Sequence, residues 1–226
     1  MKEGIVTPTG MIAHGRGEAF DYLLGERSTE SAIKAEKEAA YRLMKAKNPV
    51  LCVNGNAAVV AGEELMRLAE LLPAKVEVNL FHRNEDRMEK VISYVEGLGS
   101  VAVLGRSPDA FIEGIASERA RCCHEGIASS DVILVPIEDG DRAEALVDMG
   151  KTVIAIDLNP LSRTSRTATV SIVDEASRAI NNIIQIVRDF RNEGETIYPP
   201  QGFDNKANLM DAVAEISDSL VSNNKD

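Results

Sequence analysis

Short, unbroken apolar runs separated by helical stretches constrain this chain most. Val50-Leu51-Cys52-Val53 is apolar at every position, and Asp131 to Pro136 nearly so. Thr152 to Ile156 and the shorter Thr169 to Val173 follow the same rule, and Lys75 to Phe81 and Ser100 to Leu104 complete the set. A strand with one face in water would alternate apolar and polar residues. Continuous runs demand burial on both faces, which is the habit of a parallel sheet covered by helices on both sides. The intervening segments carry the helical period. Leu65, Leu68, Ala69 and Leu72 repeat at helical spacing before Pro73, and Ile180, Ile183, Ile184 and Val187 form one stripe behind Asp174. An earlier helix, capped by Ser28 or Thr29, places Ile33, Ala40 and Met44 on one face and stops at Asn48-Pro49. Further helices are expected after the HRNEDR loop, over Phe111 to Arg121 and over 141–149.

The expected class is therefore α/β: a Rossmann-like parallel sheet with helices on both faces, plus a C-terminal helix. One domain spanning 1–226 accounts for the length. Residues 1–28 read as an irregular glycine-rich loop region. A break through Gly194, Pro199-Pro200 and Gly202 leads to a helix and tail over 203–226, with Leu209, Val213, Ile216 and Leu220 at helical spacing.

Composition removes several function classes. A net charge of -11 opposes general nucleic-acid binding, and 4% aromatic residues with no Trp leave no platform for stacking bases. No membrane-length apolar stretch occurs, and MKEGIVTPTG lacks the apolar core of a secretory signal, so a cytoplasmic protein is expected. Cys52, Cys122 and Cys123 do not form a disulfide framework, and Cys122-Cys123-His124 lacks the spacing of a zinc site.

Ligands of such sheets bind beyond the carboxyl ends of the strands. Three polar loops are placed there. Asn54-Gly55-Asn56 opens a helix whose N–H groups suit an anion. Asp157-Leu158-Asn159 ends a strand, so its carboxylate can take ribose hydroxyls, and Arg163 and Arg166 in the following LSRTSRT stretch suit phosphate. His82-Arg83 adds an imidazole and a guanidinium, though the segment through Arg87 reads equally as a charged helix start. A fourth stretch, MIAHGRGEAFDYLLGE from Met11 to Glu26, puts His14 and Arg16 among glycines. Neither a GxGxxG fingerprint nor a GxxxxGK[ST] loop is present, and nothing calls for a covalent nucleophile. The pattern suits catalysis by positioning and charge stabilisation.

Together, GIVTPTGMIAHGRGEAFDYLLGE, VLCVNGNAAVVAGEE, NLFHR and IAIDLNPLSRTSRTATVSIVD resemble the archaeal phosphopantothenate synthetases, also called 4-phosphopantoate–β-alanine ligases. That resemblance implies ATP- and Mg²⁺-dependent joining of 4-phosphopantoate to β-alanine in archaeal coenzyme A synthesis. A phosphopantoyl adenylate would form with release of pyrophosphate, then AMP. It also implies a homodimer. Residues matching the family's ATP contacts are Arg16, Asp157, Leu158, Asn159, Arg163 and Thr164, with Glu175 and Ala176 at the start of a later helix. Arg16 then becomes part of a nucleotide lid. By chemistry alone, Asn54, Asn56, His82 and Arg83 are candidates for the substrate phosphate and His14 for a base; the Mg²⁺ ligands are not identified. Family members usually carry a further N-terminal Ser-His-Pro-Arg-Tyr-like motif, absent before the TPTG region here, and often an asparagine where this chain has Glu175. A non-catalytic nucleotide-binding module remains the alternative; a nicotinamide dehydrogenase would need the missing GxGxxG.

Overall fold

A computed structural model describes residues 1–192 and 202–222. The expected break at Gly194 and Pro199-Pro200 and the last four residues lie outside them. The elements run α1 (Pro8–Leu24), α2 (Glu30–Lys45), β1 (Pro49–Val53), α3 (Gly55–Leu71), β2 (Lys75–Val78), α4 (Glu85–Glu96) and β3 (Val103–Leu104). Then come β4 (Ala110–Phe111), β5 (Arg121–Cys122), β6 (Val132–Pro136), α5 (Gly140–Asp148), β7 (Thr152–Ile156), α6 (Arg163–Thr167), β8 (Val170–Ile172), α7 (Ala176–Asn192) and α8 (Asn205–Ser222).

Six strands form one sheet in the order β3-β2-β1-β6-β7-β8, and every pair is parallel. All positions of β1 and β6 are buried, as their unbroken apolar runs require. Alternate residues serve opposite faces. Leu51 and Val53 pack with Ala39, Leu43, Leu65, Val91 and Ile183 of α2, α3, α4 and α7. Val50 and Cys52 pack with Ile133, Val135, Ile112, Cys122 and Leu146 on the other face. That second face is covered by α5 and by the segment around the antiparallel β4–β5 pair. A third cluster, Leu24, Leu158, Val173, Leu209 and Ala212, joins α1 and α8 near the carboxyl edge of β7 and β8.

Several local expectations change. Residues 1–28 are not an irregular loop: 8–24 form α1. Thr7 accepts a hydrogen bond from Gly10 N, Pro8 begins the helix, and Gly25 ends it at φ 81°. Each internal glycine costs about 1 kcal/mol relative to Ala. Gly10 has a reason, because a Cβ there would lie 2.6 Å from Asn56 Oδ1. No contact explains Gly15 or Gly17. Phe111 to Arg121 is not a helix; it contributes β4, one short 3₁₀ turn and the start of β5. Buried Glu77 organises the next segment by accepting from the Cys123 and Ile127 N–H groups. LSRTSRT contains α6 rather than only loop. Ile33 is 39% exposed; Ala32, Ala35, Ala39 and Leu43 carry the buried face of α2 instead. Val213 and Leu220 of α8 are likewise exposed, while Leu209 is buried.

The amino end of α7 is tied to α1 and α2 through charge. Arg178 Nη2 donates to Asp21 of α1 and lies 2.5 Å from Asp174, whose other oxygen accepts from Ser28. Asn182 Nδ2 donates to both oxygens of Glu36, at 3.1 Å each. Burial, reinforced by the Asp174 charge, pushes the Glu36 carboxyl up to about 8. The unfolded chain releases this proton near pH 4.5, and the folded chain keeps it to about 8. Glu36 therefore subtracts stability as pH rises through that window, by at most about 1.4 kcal/mol per unit. Glu36→Gln keeps an amide able to accept from Asn182 and to donate to Asp174. Denaturant unfolding from pH 5 to 8 should show a flatter profile for Glu36→Gln, with a gain of roughly 1–3 kcal/mol at pH 8. An unchanged slope would remove Glu36 as the source.

Candidate active site

The strand order reverses between β1 and β6. From β1 the chain winds outward through β2 and β3; from β6 it winds the other way through β7 and β8. A crevice is left where the two halves diverge, beyond the carboxyl ends of the strands. It holds a cleft of about 600 Å³, covered on one side by α1. A smaller cavity of about 60 Å³ adjoins it and shares Ala13, Gly17, Ile137 and Asp157 with it.

The floor of the crevice is the end of β6. Ile137 takes a positive φ of 53°, an uncommon and strained conformation for a β-branched residue. It is held on both sides: its N–H donates to Ile156 O at 3.0 Å, and its carbonyl accepts from Asn54 Nδ2 at 2.9 Å. This kink turns Glu138, Asp139 and Gly140 into the cleft. Glu138 bridges two guanidiniums, those of Arg119 and Arg142. Burial pushes its carboxyl up, but the Arg119 and Arg142 charges outweigh this and hold it below the usual range. Asp139 caps α5 by accepting from Arg142 N, and burial with the Glu138 charge raises its pKa.

One wall comes from the β7 side. Asp157 Oδ2 accepts from Ser162 Oγ at 2.5 Å and Oδ1 from Asn159 N at 3.0 Å, so this carboxylate shapes the loop that follows it. Burial raises its pKa against those bonds. Each oxygen retains a lone pair for a further donor. Asn159, Ser162, Arg163 and Thr164 line the cleft beside it. Arg163 pairs with exposed Asp141, and Thr164 Oγ1 donates to Glu138 O. Leu158, Glu175 and Ala176 meet in the smaller cavity with Ile156 and His14. Glu175 caps α7, accepting from Ser177 N and Arg178 N.

The opposite wall comes from the β1 and β2 side. Asn54 caps α3 by accepting from Asn56 N and Ala57 N. Gly55 admits no side chain: a Cβ there would collide with the Ile5 carbonyl and lie 2.8 Å from Arg87 Nη2. Asn56 donates to Gly10 O, which holds the start of α1 over the amino end of α3. His82 lies on the exposed rim.

Nearly all the residues picked from the sequence thus meet around one crevice. Arg16 reaches the cleft from α1 and, among the described residues, has neither an ion pair nor a hydrogen-bond partner from its side chain. His14 is separated from the main cleft; it lines the smaller cavity, with Nε2 3.4 Å from Glu18. Arg83 is not among the cleft residues: it donates to Gly105 O at 2.9 Å, while Arg87, one helical turn later, takes the place by the cleft. Arg87, Arg119, Glu138 and Asp139 were not singled out from sequence. Glu138 and Arg142, four residues apart just past a buried strand, carried a legible signal. Arg119 did not.

A family model described as phosphopantothenate/pantothenate synthetase matches residues 31–219. A 4-phosphopantoate–β-alanine ligase of Methanosarcina mazei is 49% identical over 97% of this chain and 87% of its own length. Its namesake from Methanospirillum hungatei is 53% identical over 80% of this chain and 74% of its own length. That of Thermococcus onnurineus is 44% identical over 98% and 86%. The match spans the strand ends that build both walls of the crevice, and the chain belongs to the phosphopantothenate/pantothenate synthetase family.

Proposed function

We propose that this protein is an ATP-dependent ligase that joins 4-phosphopantoate to β-alanine, giving 4′-phosphopantothenate for coenzyme A synthesis. The observation that carries this reading is near-full-length similarity to ligases of that name, with 49% identity over 222 residues in one case. We take 1–226 as one ligase domain working in the cytoplasm; no helix of the described residues is long and apolar enough to cross a membrane. A homodimer fits the exposed apolar side chains of α1 and α8, among them Met11, Ile12, Tyr22 and Met210.

The β7 wall fits a nucleotide. Asp157 and Asn159 offer ribose partners, Arg163 and Thr164 offer phosphate donors, and Arg16 reaches in from α1 with its charge unmatched. Ile137, Ile156, Leu158 and Ala176 give an apolar floor for a base, and His14 and Glu175 edge it. For Mg²⁺ the fit is partial. Among the described residues no three His, Cys, Asp or Glu side chains converge as a cage. Asp139 and Asp157 are the carboxylates nearest in kind to magnesium ligands, and phosphate oxygens would complete the shell. Bound Mg²⁺ supplies charge neutralisation at phosphorus.

The chain's own part is positioning. Arg16 and Arg163 hold the polyphosphate bent toward the middle of the crevice and stabilise charge as it grows there. The Ile137 kink sets Asp139 and Gly140 between the two walls. With α1 over the cleft, water is kept from the activated carboxyl group until the amine of β-alanine arrives. His14, beside Glu18 in the smaller cavity, serves the nucleotide side in this arrangement.

Assays that omit each substrate in turn should give sustained AMP and pyrophosphate formation only when ATP, 4-phosphopantoate and β-alanine are all present; without β-alanine, pyrophosphate release should stop at the bound adenylate and no AMP should accumulate. ADP as product would refute the adenylate route, and ATP binding without turnover would favour a regulatory module. Arg163→Ala should lower kcat/KM for ATP by about 10²–10³-fold, the scale of one lost charge-stabilising donor. Unchanged kinetics would remove Arg163 from the site. His14→Ala should raise KM for ATP and leave KM for β-alanine unaltered; the reverse pattern would make His14 the base for the amine.

A further inference from the structure

No described residue of α8 lines the cleft, yet one of its side chains reaches the loop that forms the nucleotide wall. We infer that Asn205 is a positioning residue: it holds α6, and with it Arg163 and Thr164, in place for the phosphates of the nucleotide. The inference rests on the nucleotide reading of the β7 wall above and adds to it a residue from outside the cleft.

α6 has five residues. A helix that short is not stable by itself, and its end leaves carbonyl groups without helical partners. The amino end is capped locally: Ser162 Oγ accepts from Ser165 N at 2.9 Å. The carboxyl end is capped from 40 residues away. Asn205 Nδ2 donates to Ser165 O and to Ala168 O, at 3.0 Å each. Its Oδ1 accepts from Ser171 N at 2.7 Å. β8 is the last strand of the sheet, so an outward N–H of β8 has no neighbouring strand to bond. The Asn205 amide stands in for a peptide group there, accepting from the sheet edge and donating to the helix end. Ser171 Oγ adds a second bond to Ser165 O at 2.6 Å. Ser165 and Ser171 are both fully buried.

The anchored carbonyls lead straight to the nucleotide wall. Ser165 Oγ donates to Asn159 O at 2.9 Å, and Ser162 Oγ, the cap of the same turn, donates to Asp157 Oδ2. Arg163 and Thr164 directly precede Ser165 and line the cleft. Without the Asn205 bonds the carboxyl end of this turn is released, and the Arg163 fork loses its fixed place. A misplacement of about 1 Å at a positioned group can cost about 10²-fold in rate. α8 is itself held at other points. Glu215 accepts from Ser31 N at 2.9 Å and from Ser31 Oγ at 2.5 Å at the start of α2. Leu209 and Ala212 pack with Leu24 of α1 and with Leu158. One helix therefore braces both elements that bring arginines to the nucleotide, α1 with Arg16 and α6 with Arg163.

Steady-state kinetics with each substrate varied in turn tests this. Asn205→Ala should raise KM for ATP by about 5- to 30-fold, the worth of one or two hydrogen bonds, and leave KM for 4-phosphopantoate and for β-alanine unchanged. Ser171→Ala keeps Asn205 and removes only the hydroxyl bond to Ser165 O. It should raise KM for ATP by a smaller factor, about 2- to 5-fold, and it decides the question where Asn205→Ala does not fold. Glu215→Ala loosens α8 at its other anchor; it should lower Tm without moving KM for ATP. KM for ATP unmoved in Asn205→Ala and Ser171→Ala, or raised equally by Glu215→Ala, would overturn the assignment. A parent protein that binds no ATP in calorimetry would refute the nucleotide reading itself, and the assignment with it.

Discussion

The pairing of β1 with β6 governs the rest of this molecule. β1 is flanked by β2 on one side and β6 on the other, all parallel. Parallel strands bring all their carboxyl ends to one edge. Winding in opposite directions from the central pair opens a crevice at that edge and nowhere else. The Ile137 kink, locked by Asn54 from β1's loop and by Ile156 of β7, is where the two halves are stitched together. Strain at that point is sustained by bonds from both sides, and it delivers the Glu138–Gly140 segment to the middle of the cleft.

The cleft is a cationic pocket in an acidic protein. With a net charge of -11, a phosphorylated ligand meets an unfavourable global field, so local groups must reverse it. Arg119 and Arg142 share the buried carboxylate of Glu138, and Arg119 also lies 3.2 Å from Asp139, so this cluster is balanced and holds its guanidiniums firmly. Arg16 and Arg87 carry no carboxylate partner among the described residues. Arg87 is half-buried and Arg16 exposed, so both keep a free charge at the cleft that an anion can meet.

How much of this was legible depended on what burial writes into a sequence. The sheet strands were readable because both faces are covered and each run had to be apolar throughout. Thr29, Asn54 and Asp157 were readable as caps or strand ends because their chemistry is local. α1 was hidden: it buries only Asp21 and Leu24, so no apolar period marks it, and three internal glycines argue against a helix. Its stability comes from Thr7 and Pro8 at one end, Gly25 at the other, and contacts to α3, α7 and α8 that lie far away in sequence. Arg119 was hidden for a related reason. It occupies a segment with a misleading helical rhythm, and its role exists only because Glu77 and the β4–β5 pair carry it to the cleft. Arg83 and Arg87 differ by about one helical turn, and only the start point of α4 decides which faces the cleft.

The central claim is that the crevice holds the nucleotide and 4-phosphopantoate at the same time. Titration calorimetry of 4-phosphopantoate into protein already saturated with a non-hydrolysable ATP analogue tests it most directly, with β-alanine left out. The account predicts that one equivalent still binds, with affinity equal to or better than in the absence of nucleotide. Loss of binding, with the analogue displaced in proportion, would mean that the two ligands compete for one place and would contradict it.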